Sequence, residues 1–495
     1  MTESDSYDVI VVGAGVVGPT VATALARQGR KVMIVERDWS MPDRIVGELM
    51  QPGGLKALRE LGMIQAINNI EAIHVSGYYI LFGGSELNID YPEKTDANRT
   101  NQTIPVPDCV KDDNDKVLTD STIKSEEWDN DPRVRGVAFR HGEFLMNLRK
   151  ITKSEPNVTA VEGNVTQMIK SPDDPNRVIG VRVKKNKDVY EEYYAKVTIA
   201  CDGIYSKFRK ELGEDYAPTV ESHFVGLSLM NCDLPSKYRG HVVLGTEHFP
   251  VIIYQISPEE TRILCAYKST KTPPQAELYQ YLQSKVLPGL PKPIRPSFSA
   301  ALETRKFRVM PNQYLPARKQ GRDLKGYILI GDSLNMRHPL TGGGMTVGLN
   351  DAVLLTKLLH PENIEDLSNQ ALLEKRLLQF HTKRKNLDGV INTLSIALYS
   401  LFAADSRPLK ILQKGCYQYF LRGGSCVSGP IGLLSGMLPF PMILFNHFFS
   451  VAFFAIYCNI VARGLLGFPM AIYEAFETLY TAVVIFTPYI IRELM

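Results

Sequence analysis

The stretch YDVIVVGAGVVGPTVATALARQGRKVMIVER, residues 7–37, decides the fold of this chain. Its apolar run DVIVV is typical of a buried parallel strand, and KVMIVER has the same character after an alanine-rich segment. We therefore predict strands over Tyr7–Gly13 and Lys31–Arg37, with a helix over Pro19–Gln28 between them. A strand, a helix and a second strand in this order form a βαβ unit, so the sequence predicts a parallel sheet covered by helices.

The turn after the first strand has the spacing GxGxxG, with Gly13, Gly15 and Gly18. In dinucleotide-binding folds these glycines make the tight turn, let the backbone approach a pyrophosphate, and allow close packing of helix on strand. Glu36 ends the second strand, where an acid accepts hydrogen bonds from ribose hydroxyls. A carboxylate repels a 2′-phosphate, so the site should hold FAD or NAD rather than NADP. The alternative interpretation is a tight βα turn without a ligand.

Two further motifs lie at the ends of predicted buried strands. TIACDGIYSKFRK places Asp202 and Gly203 at the end of one strand, and KGYILIGDS places Gly331 and Asp332 at the end of another. An aspartate at such a position can accept a hydrogen bond from a ribityl hydroxyl. Each motif alone also occurs as an ordinary strand-ending turn. The three motifs in this order are far more specific for a flavin dinucleotide than any one of them.

A run of three glycines follows the last of these motifs, in MRHPLTGGGMTVGLND, residues 336–351. Gly342, Gly343 and Gly344 cost backbone entropy on folding, so we expect either a demanding turn or a ligand close to the backbone. We interpret the run as both, a flavin-facing loop that leads into a helix, with Met345 against the cofactor at the helix start. We accordingly predict that Gly343→Val impairs flavin binding or turnover far more than folding.

Composition excludes several classes of function. The chain has 495 residues, and its formal net charge of +3 is too small for a protein that binds a nucleic-acid backbone. Its 7 cysteines form no CxxC pair, so we predict neither a metal site nor a disulfide framework. Strand-like runs over His241–Leu244, Val251–Gln255 and Arg262–Tyr267 predict a second, β-rich domain. Residues 90–135 are a polar, acidic insert, and the chain is predicted to be helical from Asn350 onward.

The carboxyl-terminal segment differs in composition from the rest of the chain. Residues 430–462 contain no Asp, Glu, Lys or Arg, and this uncharged run is long enough for a membrane span. Pro439, Pro441 and His447 interrupt the run, so a kinked or re-entrant hairpin in one leaflet fits as well. A buried pair of core helices is the third interpretation. We expect residues 429–495 to form membrane-anchoring helices.

The ordered motifs resemble those of the aromatic-hydroxylase-like class of FAD-dependent monooxygenases. Within this class the chain resembles the fungal form of the squalene epoxidase (squalene monooxygenase) family, in the segments DRIVGELMQPGG (43–54), GVAFRHGEFLMNLR (136–149), DGIYSKFRKEL (202–212) and NMRHPLTGGGMTVGLND (335–351). The resemblance spans nearly the whole chain and implies an α/β fold. It comprises a Rossmann-type FAD-binding domain, an inserted β-rich substrate domain and a helical, membrane-associated carboxyl terminus.

The resemblance implies a division into seven segments. The FAD-binding domain comprises residues 1–70, 136–215 and 305–360, the substrate domain comprises 71–135 and 216–304, a helical segment comprises 361–428, and the membrane-anchoring helices comprise 429–495.

The resemblance also implies which residues contact FAD. Beyond the glycines Gly13, Gly15, Gly18, Gly331, Gly343 and Gly344, the implied contacts are Val16, Val17, Glu36, Arg37, Arg44, Arg149, Val165, Asp332 and Met345. Asp202 and Gly203 fall on a motif that touches FAD and assists the use of NADPH. From the residues alone, Arg37 and Arg44 are equally well explained as solvated surface arginines.

Two residues are implied in the chemistry itself. Gln51 and Tyr78 fall on a hydrogen-bonding pair close to the flavin and to the reacting end of the substrate, and we take them as the candidate catalytic residues. From the residues alone, Tyr78 lies in an apolar segment where a packed core tyrosine is the alternative. Because flavin carries the oxygen chemistry, no side-chain base is required. We therefore expect His141 and His338 to be structural.

The implied reaction is the epoxidation of squalene to (S)-2,3-epoxysqualene in sterol (ergosterol) biosynthesis. The resemblance implies molecular oxygen as cosubstrate and electrons from NADPH, delivered by a separate NADPH–cytochrome reductase. The implied location is the endoplasmic reticulum membrane, facing the cytosol, with lipid droplets as a second site; no oligomeric state is implied. Two alternatives stay open: a flavin reductase that acts on polyprenyl substrates, and a non-enzymatic carrier of prenyl lipids on the same fold.

Overall fold

Two large β-sheets and a set of carboxyl-terminal helices make up the described part of the chain, residues 6–92, 135–186, 189–245 and 247–494 of the computed structural model. The insert predicted over residues 90–135 lies almost wholly outside these ranges. In chain order the strands are β1 Tyr7–Val12, β2 Val32–Glu36, β3 Leu49–Met50, β4 Ile73–Val75, β5 Gly77–Phe82, β6 Ser85–Asp90, β7 Gly136–Ala138, β8 Val158–Glu162, β9 Asn164–Lys170, β10 Val178–Asn186, β11 Val189–Ala200, β12 Thr219–Met230, β13 Arg239–Leu244, β14 Val251–Gln255, β15 Glu260–Tyr267, β16 Arg308–Tyr314 and β17 Tyr327–Leu329. The α-helices are α1 Val17–Arg27, α2 Pro52–Glu60, α3 His141–Ser154, α4 Gln275–Tyr281, α5 Leu287–Gly289, α6 Arg295–Glu303, α7 Gly343–Leu358, α8 Gln370–Ala403, α9 Arg407–Leu421, α10 Ser425–Leu434, α11 Pro441–Arg463 and α12 Phe468–Leu494.

The first sheet is built around β1. Five strands run parallel in the order β8-β2-β1-β11-β17. The predicted βαβ unit is confirmed, because β1, α1 and β2 begin and end within two residues of the predicted bounds. The first half of β11 leaves this sheet and forms an antiparallel meander with β10 and β9. Helices α1, α3 and α7 pack around this sheet, which leaves the inner residues of β1 fully buried.

The second sheet contains the predicted β-rich segment. Its order is β16-β12-β15-β14-β13-β5-β6, antiparallel except for the parallel pair of β13 and β5. The three predicted strands are confirmed as β13, β14 and β15. One detail of the division needs correction: β16 lies within residues 305–360, which we assigned to the FAD-binding domain, yet its hydrogen bonds join it to β12 of the second sheet.

A hydrophobic core lies on each face of the second sheet. One face packs against α4 and α6, through buried side chains such as Leu278 and Phe298. The other face packs against α8 and α9, through side chains such as Tyr399 and Leu412. The second core continues into β3 and β7, so the helices after the two sheets reach the region where the sheets meet.

Helices α11 and α12 form an antiparallel hairpin at the carboxyl terminus. Within the described residues these two helices are long and apolar enough to cross a membrane. Leu465 and Leu466, in the connection between them, are almost completely exposed, and many aromatic side chains along both helices are exposed as well. The interpretation of this segment as a buried pair of core helices is therefore wrong. Exposed apolar surface of this extent is typical of helices that contact lipid.

Candidate active site

The three sequence motifs meet at the carboxyl edge of the first sheet. The turn at Gly13 lies against the end of β11, where an added Cβ atom would come within 2.7 Å of the Cys201 carbonyl oxygen. Buried Arg209 joins the other two motifs, because its Nη2 donates to the carbonyl oxygens of Gly203 at 3.3 Å and Asp332 at 3.1 Å. Parallel strands end at a common edge, which is why motifs far apart in sequence form one site here.

Glu36 is fixed beside the glycine turn. Its carboxylate accepts hydrogen bonds from the backbone N–H groups of Ala14 at 2.6 Å and Asp38 at 3.2 Å. The side chain of Arg149 lies 3.9 Å from this carboxylate and donates through Nε to the Ala14 carbonyl oxygen at 2.9 Å. The Gly163 N–H donates to the backbone oxygen of Glu36 at 2.9 Å, and this bond holds the start of β9 next to Glu36 and the glycine turn.

The other predicted cofactor residues are placed less uniformly. Val16 and Val17 stand at the start of α1, and Val17 packs against Gly331. The side chain of Val165 is buried in the core of the first sheet, so only its backbone is left to meet a ligand. Arg37 and Arg44 are both exposed. The charge of Arg44 nevertheless acts on Asp332, whereas the charge of Arg37 acts on Asp38.

Asp202 and Asp332 are acids in a largely dry environment. Burial raises the pKa of both carboxyl groups above their ordinary value. Asp202 accepts a hydrogen bond from the Lys207 N–H at 3.1 Å through one oxygen, while its buried Oδ1 has no partner within the described residues. Nearby arginines offset part of the cost of burying Asp332. Buried carboxyl groups whose pKa is raised by desolvation are typical of ligand-binding sites.

The glycine run after the third motif corrects our prediction for Gly343. Helix α7 begins at this residue, two positions before Met345, where we placed the helix start, and Gly342 caps it with a left-handed φ of 61°. A Cβ atom at Gly343 would lie 2.4 Å from Cγ2 of Ile391 on α8, whereas one at Gly344 would meet no atom within 4 Å. Gly343 is therefore required by helix packing, so Gly343→Val should impair folding. Gly344 has the open side that a ligand needs, and Met345 follows it.

Gln51 and Tyr78 form the predicted hydrogen bond. Gln51 is completely buried, and its Nε2 donates to the Tyr78 hydroxyl oxygen at 2.6 Å and to the Thr341 carbonyl oxygen at 2.7 Å. Tyr91 donates its hydroxyl proton to Oε1 of Gln51 at 2.6 Å. Burial raises the pKa of Tyr78 to about 12 and that of Tyr91 well above its ordinary value, so both phenols stay protonated. Thr341 immediately precedes the glycine run, so this cluster is joined to the glycine loop.

Sequence reasoning missed two residues of this region. Tyr91 completes the buried cluster, but it is 40 positions from its partner Gln51 and stands at the edge of a polar insert. Arg337 is buried below the glycine loop, within electrostatic reach of Asp332, and its Nη2 donates to Oδ1 of Asn335 at 2.6 Å. Arg337 is the only lysine or arginine between Lys325 and Lys357 in the sequence, and this isolated basic residue close to the third motif was the available signal.

The two histidines near the motifs are held neutral. Burial lowers the pKa of His141 to about 4 and that of His338 to about 3. His338 accepts from the Leu340 N–H at Nδ1, so Nε2 carries the proton and donates to Ser222 Oγ at 3.1 Å. Its ring stacks on Tyr399 with centroids 4.0 Å apart. These contacts give His338 a packing function in the described structure.

Comparisons with known proteins identify the family. The squalene epoxidase family model matches residues 194–473, more than half of the chain, and the FAD binding domain model matches residues 6–129. The chain is 63% identical to squalene epoxidase of Candida albicans, over 99% of each chain. The chain belongs to the squalene epoxidase family. It is also 38% identical to squalene monooxygenase of the mouse, covering 98% of this chain and 78% of the mouse protein.

Solved structures outside this family share the fold. The p-nitrophenol 4-monooxygenase PnpA of Pseudomonas putida aligns with a TM-score of 0.63 at 15% identity, covering 88% of this chain and 98% of that one. PqsL of Pseudomonas aeruginosa, a probable FAD-dependent monooxygenase, aligns with a TM-score of 0.60 at 16% identity, covering 81% and 97%. The fold of this squalene epoxidase family member is thus that of the flavin monooxygenases.

The residues of this chain fit FAD. A Cβ atom at Gly15 or Gly344 would meet no atom within 4 Å, so the backbone is open to a ligand at both glycine turns. Gly18 is closed instead, because an added Cβ would lie 1.9 Å from the Gly13 carbonyl oxygen, as expected of the glycine that packs helix on strand. Glu36 offers an acceptor for ribose, and the buried, unpartnered Oδ1 of Asp202 offers a second acceptor.

Proposed function

We propose that this chain is a flavoprotein monooxygenase that epoxidises squalene to (S)-2,3-epoxysqualene in sterol (ergosterol) biosynthesis. It would use molecular oxygen and electrons that originate from NADPH. The observation that carries the proposal is the Gln51 network. This one buried side chain links the loop after the Gly331 and Asp332 motif to Tyr78 on β5 and to Tyr91 directly after β6. A cofactor-facing loop and a substrate-facing sheet thus meet at a buried point.

We propose that Gln51 and Tyr78 orient the reacting parts. Both protons of the Gln51 amide are engaged, one with Tyr78 and one with Thr341, so the amide cannot rotate. The Tyr78 hydroxyl oxygen therefore accepts from Gln51 and, in a longer contact of 3.4 Å, from Tyr91, so within the described residues its own proton has no acceptor. That proton is available to a group in the site. Because its pKa is about 12, Tyr78 serves as a hydrogen-bond donor and not as a base.

We propose that FAD is held by the residues that converge on the carboxyl edge of the first sheet. The glycine turn with Val16 and Val17 would face the pyrophosphate, and Glu36 would face the ribose. Asp332, Gly344 and Met345 would face the flavin. The remaining proposed contacts are Arg37, Arg44, Arg149, Val165, Asp202, Gly203 and Gly331. When bound, FAD supplies the activation of oxygen.

The chain itself then has to exclude water and to hold an uncharged alkene in line with the reacting oxygen. Apolar packing achieves both without a nucleophilic side chain.

Membrane association follows from the substrate and from the hairpin. A hydrocarbon of this length resides in lipid, and the exposed apolar surface of α11 and α12 suits docking of the site against a bilayer. We propose the endoplasmic reticulum membrane, facing the cytosol, as the location, with lipid droplets as a second site. A separate NADPH–cytochrome reductase would supply electrons, in keeping with a single GxGxxG motif in the sequence.

A defined turnover assay tests the proposal. Protein extracted in mild detergent should be yellow, and with NADPH, reductase and oxygen it should convert squalene to 2,3-oxidosqualene. Colourless protein that binds squalene without converting it would instead favour the prenyl-lipid carrier. Turnover of a polyprenyl substrate without oxygen would favour the flavin reductase.

A further inference from the structure

Helix α9 carries a row of basic side chains on its exposed face. Arg407, Lys410 and Lys414 recur at spacings of three and four residues, so they lie on one side of the helix, and all three are exposed. Arg422 stands just beyond the end of the helix and is also exposed. We call these four residues the basic stripe.

The charge of this region is unbalanced. Between Asp405 and Glu474 the sequence contains five basic residues and no acidic residue. Glu474 is bound by the side chains of Arg407 and Arg463, so it compensates the end of the stripe nearest the hairpin connection. Lys410 and Lys414, the two lysines of the stripe, make no ion pair within the part of the chain that the structure describes. Positive charge is therefore left over along the middle of α9.

The stripe lies where the hairpin meets the body of the protein. On one side, Tyr417 of α9 packs against Phe82 at the end of β5, with ring centroids 5.2 Å apart. On the other side, Gly415 packs so closely on α11 that an added Cβ would lie 2.4 Å from Cα of Ala455. Helix α9 is thus wedged between the second sheet and the hairpin, with its basic side chains on the outer surface.

We propose that the basic stripe binds the anionic phospholipid headgroups of the bilayer that holds the hairpin. This inference rests on the membrane association proposed above. Lysine and arginine beside membrane-embedded helices favour the anionic cytoplasmic leaflet. The stripe adjoins the exposed apolar surface that ends at Leu465 and Leu466, so one membrane would cover both. This continuity, together with the lack of acidic residues, argues for lipid rather than an acidic protein as the partner.

Vesicle binding by the full-length, FAD-loaded protein tests the proposal. Wild type should bind vesicles that contain phosphatidylserine more tightly than vesicles of phosphatidylcholine alone, and salt should reduce the difference. The double variant Lys410→Gln/Lys414→Gln should lose about 25-fold in affinity for the anionic vesicles, because each of the two cations contributes about fivefold. Its affinity for phosphatidylcholine vesicles, which depends on the hairpin, should be unchanged.

A matched double variant provides the control. Lys375 and Lys383 are exposed on α8, and Lys375→Gln/Lys383→Gln removes the same charge elsewhere, so it should leave both affinities unchanged. Equal losses for both kinds of vesicle, or no loss for the anionic ones, would overturn the proposal. Unchanged vesicle binding with slower electron delivery from the reductase would also overturn it, in favour of an acidic protein partner. Squalene turnover in neutral detergent, measured in parallel, tests the proposed function separately.

Discussion

Gln51 holds two tyrosines and a backbone carbonyl in one buried network. All three contacts are between 2.6 and 2.7 Å, and every hydrogen-bonding atom of the amide is used. A network that is fully satisfied in a dry environment is rigid, because breaking any one bond leaves a buried group without a partner. Tyr91 therefore matters as much to the geometry of Tyr78 as the amide itself does.

Tyr91→Phe tests this rigidity. The change leaves Oε1 of Gln51 buried without a donor, which should cost about 1–3 kcal/mol in the free energy of unfolding. It should also release Tyr78, so that epoxide formed per NADPH oxidised falls. Tyr79→Phe is the matched control, since Tyr79 is as deeply buried but points to the other face of β5. Equal coupling of NADPH oxidation to epoxide formation in both variants would contradict a positioning function for Tyr91.

Asp332→Ala tests the carboxylate at the third motif. Burial raises the pKa of Asp332, so this carboxyl group does not stabilise the folded apoprotein. The melting temperature of the apoprotein should therefore stay the same or rise. FAD affinity should fall about tenfold or more, because a hydrogen bond to a charged acceptor is lost. Bound flavin per protein, measured by absorbance, checks this expectation. Exposed Asp323→Ala is the control, and unchanged flavin content in Asp332→Ala would refute the assignment.

Tyr91 was missed because its partner is distant in sequence: it binds Gln51, 40 positions away. Arg384 likewise binds Asp351 from the next helix, at 2.6 and 2.9 Å. No periodicity or spacing reports such pairs, because they exist only after the elements pack. The glycine motifs and Glu36 were predictable since their chemistry is local to one βα turn.

Helix α7 shows how packing decides the bounds of an element. The glycine run was predicted to be a loop that leads into a helix starting near Met345, yet the helix already begins at Gly343. The close approach of Ile391 on α8 leaves no room for a side chain at Gly343, so the glycine is a helical residue selected by a neighbour. By contrast β1, α1 and β2 were predictable, because burial on both faces makes their apolar runs continuous.

Substitutions in the glycine run separate the two functions of the loop. Gly343→Ala should lower the melting temperature of the apoprotein, since the added methyl group collides with Ile391. Gly344→Ala should leave that temperature unchanged or slightly raised, because alanine favours helix, while FAD affinity falls as the methyl group enters the open side. Thermal unfolding with and without FAD measures both effects. The reverse pattern would show that Gly344 packs and Gly343 faces the ligand.

Neutral buried histidines are distributed over the chain. Burial lowers the pKa of His141 on α3 and of His241 on β13 to about 4, and that of His338 to about 3. The unfolded chain takes up these protons below pH of about 6.5. Stability should therefore be complete above that pH and be lost as the pH falls towards about 4, by about 2 kcal/mol per histidine near pH 5.

Thermal unfolding as a function of pH checks this expectation. The melting temperature of wild type should fall steeply on acidification, and His338→Gln should show a shallower fall, since one titrating group is absent. Between pH values of about 8 and 9 the two profiles should run parallel, because the unfolded-state pKa of histidine, about 6.5, lies well below that range. Parallel profiles under acid conditions as well would contradict a neutral, buried His338.

The central claim is that the chain transfers one atom of molecular oxygen to squalene at a flavin site beside Gln51. Turnover under ¹⁸O₂ tests it most directly, using full-length protein in neutral detergent with FAD, NADPH and reductase. We predict 2,3-oxidosqualene that carries one labelled oxygen atom, and no product without oxygen. An unlabelled product, or turnover under anaerobic conditions, would contradict the account.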